Sequence, residues 1–183
     1  MIPLLCAALL LAPVAHAETR AQAQQALLDR LFQALHEAPD EASAAMVEDR
    51  IRHIWREQAS PAVALLMARG DRDLVHDAGG EAISDFDAVV DLAPDYAEGY
   101  AHRAAARAVA GDYAGAVRDV EQALRRDPRN FSALQTLSHV AEEQGNWRGA
   151  LDAWRKALEI DPHMPGGADR LLMLRTKAEG EPA

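Results

Sequence analysis

Two arginine–aspartate pairs share one spacing in this chain: Arg69 with Asp85 and Arg103 with Asp119 stand sixteen residues apart in each case. Thirty-four residues further on, the corresponding positions hold Leu137 and Ala153, so the charge vanishes from both members together. Matched replacement of this kind fits side chains that meet, as a buried ion pair twice and as an apolar contact once. The role is structural rather than catalytic. The histidines His36, His53, His76, His102, His139 and His163 show no HExxH spacing and no cysteine company, so zinc-ligand arithmetic finds nothing. Ser138 beside His139 is not a nucleophile–base couple, because helical neighbours point about 100° apart. No Gly-rich phosphate loop is present. The residue types therefore supply no catalytic set, and the chain reads as a non-enzyme without cofactor or metal.

The elements that carry these residues recur. Pro94, Pro128 and Pro162 are spaced by 34 residues. Ala82, Ala116 and Ala150 keep the same phase, as do Phe86, Val120 and Trp154. A period of this length marks a helical solenoid, in which a helix pair cannot bury its apolar face alone and stacks on its neighbours. The units run from about 63–94, 97–128 and 131–162, each a pair of helices. The turns are expected at Gly79-Gly80, Gly111-Asp112 and Gly145-Asn146, with glycine supplying a left-handed helix end. Ahead of them, Leu27, Leu28, Leu31, Phe32 and Leu35 mark a helix over 21–37. Val47, Ile51, Ile54 and Trp55 mark a second from Glu41, and Ser60-Pro61 reads as N-cap and first turn of the next. This first pair, within 18–60, lacks the small-residue positions and is expected to cap the N-terminal end of a 61–177 solenoid. A helix over 168–177 with Leu171, Leu172 and Leu174 closes the other end, and 178–183 is expected to be disordered.

Ile2 to Val14 is apolar but too short to span a bilayer, and Ala15-His16-Ala17 follows it before Glu18-Thr19-Arg20. Residues 1–17 read as a secretory signal cleaved after Ala17, against the alternative of a buried or membrane-lying helix. Export to a periplasm is the expectation. Cys6 lies within that segment, so the mature chain holds no thiol. The formal net charge of −10 speaks against nucleic acid and anionic lipid as partners, and no later stretch is apolar enough to insert in a membrane.

In units two and three the pattern of bulky residue, small residue, turn glycine, alanine, bulky residue, alanine and proline appears. It is carried by Tyr100, Ala104, Gly111, Ala116, Val120, Ala123 and Pro128, and by Leu134, Ser138, Gly145, Ala150, Trp154, Ala157 and Pro162. On these residues the chain resembles the tetratricopeptide repeat family over roughly 61–177. The segments Leu31-Phe32 and Ile54-Trp55 to Ser60-Pro61 also look like exported repeat proteins of alphaproteobacteria. The resemblance implies an all-α, right-handed solenoid and a concave groove lined by the first helix of each unit. Groove positions are Met67, Asp71 and Leu74, then Glu98, Ala101, His102, Ala105 and Val109, then Ser132, Gln135, Thr136, His139, Glu142 and Glu143. The members that clamp the C-terminal carboxylates of chaperones carry Lys, Asn and Arg where this chain has Met67, Asp71, His102, Ser132 and Thr136, so that function is not implied. A neutral or basic peptide suits the mildly acidic trough better. The expected function is a non-catalytic scaffold or adaptor for a cell-envelope complex. A holdase-like chaperone, a metal-binding protein using His102 and His139 with nearby glutamates, and a structural homo-oligomer stand as alternatives.

Overall fold

Helix ends in this chain are written by small polar residues. Asp40 accepts a hydrogen bond from the Ser43 amide at 2.8 Å and opens α2 (Glu41–Glu57), and Ser60 accepts one from the Val63 amide, with Pro61 at the first turn of α3 (Pro61–Val75). Asp112, Asn130 and Asn146 do the same for α6 (Tyr113–Arg126), α7 (Phe131–Glu143) and α8 (Trp147–Ile160). The remaining helices are α1 (Ala8–His36), α4 (Gly79–Leu92), α5 (Ala97–Val109) and α9 (Gly167–Glu179). The computed structural model describes the backbone of residues 8–76 and 78–180, and side chains from residue 22 within those ranges. Nine helices and no strand occur among the described residues. The expected signal segment and its cleavage site lie outside the described residues or on positions where only the helical backbone of α1 is described.

Three hairpins, α3–α4, α5–α6 and α7–α8, stack in series, α4 against α5 and α6 against α7, and α9 packs on α8. The phased residues explain why. Ala82, Ala116 and Ala150 are fully buried where paired helices approach closely, and Phe86, Val120 and Trp154 are buried at the following turn. Gly111 and Gly145 have φ of 80° and 70°, as the turn requires. Unit one departs from the expected turn. Gly79 and Gly80 form the first turn of α4 instead of a left-handed corner, and α3 ends at Val75. At the other end, α9 continues through Ala178 and Glu179, which the sequence assigns to a disordered tail.

The larger correction concerns the N-terminal pair. It does not stack as a further unit on α3–α4. Leu28, Phe32, Leu35, Ile51, Ile54 and Trp55 share one core with Phe131, Leu134, Leu151 and Trp154 of unit three. Phe32, Trp55 and Phe131 form a run of tilted rings, with centroids 6.0 Å and 5.3 Å apart. Arg129 pairs with Asp29 at 2.8 Å and lies over the Phe32 ring. The pair thus folds back over the solenoid, bringing α2 to the first-helix face of the repeats. The physical reason is its bulk: with large aromatic residues at its outward face, it fills a wide hollow better than it matches a close helix stack.

Candidate functional site

The first helices of the three units, α3, α5 and α7, turn one row of residues toward α2. Between them is a cavity of about 350 Å³. Met67 and Asp71 of α3, Glu98, Ala101, His102 and Ala105 of α5, and Ser132, Gln135 and Thr136 of α7 line it. These are sequence-predicted groove residues, and the structure brings them together around one space. His139 and Glu142 are not among them. His139 is exposed further along α7, and Glu142 is held by Arg170 of α9 at 2.7 Å, with the Arg170 guanidinium over Trp154. The C-terminal helix claims that end of the trough, which the expected open groove did not include. Leu74, Val109 and Glu143 likewise fall outside the cavity lining.

Missed by the sequence reading are Arg52, Arg56 and Ala59 from α2 and its exit, Ala64 and Ala68 on α3, and Tyr96 in the turn before α5. The α2 residues enter only because a distant segment docks back over the groove. The single local signal was Arg52 and Arg56 at helical spacing of four, one turn apart and flanking the buried face of α2.

Charge at the site is arranged as a chain. His102 Nδ1 lies 2.6 Å from Asp71 Oδ1, and Nε2 lies 3.6 Å from Glu98 Oε2. Burial opposes protonation of the ring, but hydrogen bonding and attraction from Asp71 and Glu98 outweigh it and push its pKa up to about 10. The imidazole is therefore a cation between two carboxylates at neutral pH. Glu98 also accepts a hydrogen bond from the fully buried Asn130, whose own side-chain oxygen caps α7 through the Ala133 amide at 2.9 Å. One glutamate thus ties the groove face of unit two to the start of unit three. Arg52 pairs with Glu48 at 2.8 Å and lies over the Phe131 ring. Among the described residues no group of three or more His, Cys, Asp or Glu side chains is arranged to hold a metal ion.

Behind the groove, the sixteen-residue pairs meet as their spacing predicts. Arg103 makes a two-pronged contact to Asp119 at 2.7 and 2.8 Å, a further one to Asp87, and Asp119 also receives Arg107 at 2.7 Å. Arg69 clasps Asp85, although its side chain is 57% exposed against 13% for Arg103, so only the second pair is a buried one. In unit three, Leu137 packs against the apolar core of unit two and Ala153 is buried.

The helix stacking, the in-phase alanines and the comparisons with known proteins agree. A TPR repeat-containing protein of Rhizobium etli is 31% identical over 153 residues, which are 84% of this chain and 75% of that protein. The chain belongs to the tetratricopeptide repeat family. The Tetratricopeptide repeat profile itself matches residues 131–164, the third unit. Small glutamine-rich tetratricopeptide repeat-containing protein 2 of Mycosarcoma maydis is 30% identical over 97 residues, 53% of this chain and 28% of that protein. Among solved structures, the Sgt2 TPR domain from Aspergillus fumigatus superposes with a TM-score of 0.61 at 24% identity, covering 68% of this chain and 87% of that one. The TPR2B domain of yeast Sti1, solved as a complex with pHsp70, gives 0.59 at 23% identity and covers 65% and 97%. At these identities the structural likeness is one of fold. No described helix of this tetratricopeptide repeat protein is long and apolar enough to cross a membrane.

Proposed function

We propose that this protein is an exported, non-catalytic scaffold of the bacterial periplasm that holds a protein or peptide partner in the space between its repeats and its N-terminal helix pair. The observation that carries the reading is the convergence of α3, α5 and α7 on one cavity lined by nine of the fourteen residues expected for a peptide groove. Repeat proteins of this architecture present such faces as extended binding surfaces. The acidic chain and the Asp71–His102–Glu98 cluster favour a neutral or basic partner. A cavity of about 350 Å³ sits near the lower end of ligand sites, about 300–1,000 Å³. It suits a short segment, and a longer peptide requires α1 and α2 to move off unit three. That enclosure favours an adaptor over a holdase, which needs broad exposed apolar surface. The N-terminal sequence supports export, and adaptor work in an envelope complex follows from the two together.

Site-specific photocrosslinking in the native cell envelope tests this, from Gln135 in the groove and from Arg155 on the outer helix α8 as control. One discrete adduct from Gln135 alone is the expected result. A smear of adducts would favour the chaperone, and silence at Gln135 would contradict the groove reading.

A further inference from the structure

The helix that covers the cavity is held down beside two acids. Glu48 of α2 is 5% exposed and Asp161, where α8 ends, is fully buried, and their carboxyls meet where the N-terminal pair lies on unit three. Two of the four oxygens are taken. Arg52 donates to Glu48 Oε2 at 2.8 Å, and the His163 amide donates to Asp161 Oδ1 at 3.2 Å. The other two, Glu48 Oε1 and Asp161 Oδ2, are buried with no partner among the described residues. Two ionised carboxylates placed so would repel each other where water screens them poorly, and neither free oxygen would have a donor. One proton shared between Oε1 and Oδ2 meets both needs. Burial, and then Glu48, push the Asp161 pKa up in keeping with such sharing.

We propose that the Glu48–Asp161 pair is a proton-held latch over the groove: with the proton in place α2 stays docked, and its loss to water tilts the balance toward an open form that admits a longer peptide. The latch rests on the groove proposed above and adds how that groove is opened. In the open form both carboxyls are solvated and ionise in the ordinary range, so opening and proton loss drive each other. The docked form binds a proton that the open form releases. Closure is therefore favoured in full below about pH 4 and is lost as pH rises through about 7. Other charged and titratable groups surround the pair: Arg52 and the capping Asp40 of α2, His163 beyond α8, whose charge acts on Asp40, and His36 of α1, whose ring meets the Glu159 carbonyl at 3.2 Å. The latch places the pH response on the two acids and not on these histidines.

Thiol labelling of the full chain tests this without any partner. Cys6→Ser removes the native thiol, Ser132→Cys puts one in the cavity wall, and Ser84→Cys puts one on the exposed face of α4. The reagent is a polyethylene glycol maleimide, too large for a cavity of about 350 Å³, and the rate at position 132 divided by that at 84 corrects for the pH dependence of thiol chemistry. A rise in that ratio of about tenfold or more between pH 5 and 8 is expected. Glu48→Gln and Asp161→Asn each put an amide donor where the proton was, and should hold the ratio within about twofold over the same range. A flat ratio in the parent, a rise that persists in both acid variants, or one that His36→Gln or His163→Gln abolishes would overturn the latch. A flat ratio beside a discrete Gln135 crosslink strikes the latch and leaves the groove, whereas a rising ratio with no crosslink bears out the latch and strikes the groove.

Discussion

Unit two and the N-terminal helix pair are both helical hairpins, and they are held in place by different physics. In unit two the contacts are close and repeated: Ala104, Ala116 and Ala123 are fully buried, Gly111 turns the corner, and Arg103 and Arg107 converge on Asp119 at about 2.7 Å, with Asp87 of unit one also on Arg103. The N-terminal pair makes few close helix contacts and relies on large rings, Phe32 and Trp55, set against Phe131. Its polar anchor is different in kind too. Glu48 of α2 faces Asp161 at the end of α8, and each carboxyl keeps one buried oxygen without a partner. Hairpins built from repeated small residues stack on their neighbours, whereas a hairpin built from bulk and a carboxyl pair fills a hollow.

The largest expected effect breaks the second kind of attachment. Trp55→Ala removes the middle ring of the run and should cost about 4 kcal/mol by chemical denaturation. If only the N-terminal pair is released, the loss appears as an early, separate transition while unit two stays folded. Asp119→Ala strikes the first kind. It strands Arg103 and Arg107 and should cost about 3 kcal/mol, in the main transition, whereas Asp85→Ala should cost less because Arg69 is largely solvated.

Titration sharpens the contrast. Burial first, and then the neighbouring Glu48, raise the Asp161 pKa to about 7 from an ordinary 3.8, while the His163 amide and Arg52 pull the other way. A raised carboxyl favours the protonated form in the docked state. Its contribution is present in full below about pH 4 and is lost as pH rises through about 7. The transition of the N-terminal pair should therefore fall by roughly 5 °C between pH 5 and 8, and Glu48→Gln should flatten that slope. His102 titrates in another window. Its pKa is raised from 6.5 to about 10, so its contribution is present in full below 6.5 and fades toward 10, where unit two should soften. The smallest effect expected is at the turn: Gly111→Ala must place a side chain at φ 80° and should cost about 1 kcal/mol, whereas Gly80→Ala in α4 should stabilise slightly, which melting curves can separate.

Much of the solenoid was legible because its rules are local and repeat. The prolines, the in-phase alanines and the Asp, Asn and Ser caps each act within a few residues, and three copies reinforce the reading. The sixteen-residue covariation even located the Arg103–Asp119 contact. Gly79-Gly80 misled because glycine in a helix start and glycine in a corner look alike when the surrounding residues are polar. The docking of α2 was not legible. It depends on Trp55 meeting Phe131 across most of a helix-rich chain, and nothing in a helical stripe says which hollow it fills. For the same reason Met67, His102 and Gln135 were found as groove residues, while Arg56 and Tyr96, which share their cavity, were not.

The claim on which the groove, the cavity and the pH response all depend is that α2 lies against unit three. The chain has three tryptophans and three phenylalanines, few enough to assign their ring protons individually by NMR. Cross-relaxation between the rings of Trp55 and Phe131, whose centroids are 5.3 Å apart, is the result this account predicts at pH 5, weakening toward pH 8. A Trp55 indole that shows no contact to Phe131 at either pH, with its amide exchanging freely, would contradict it.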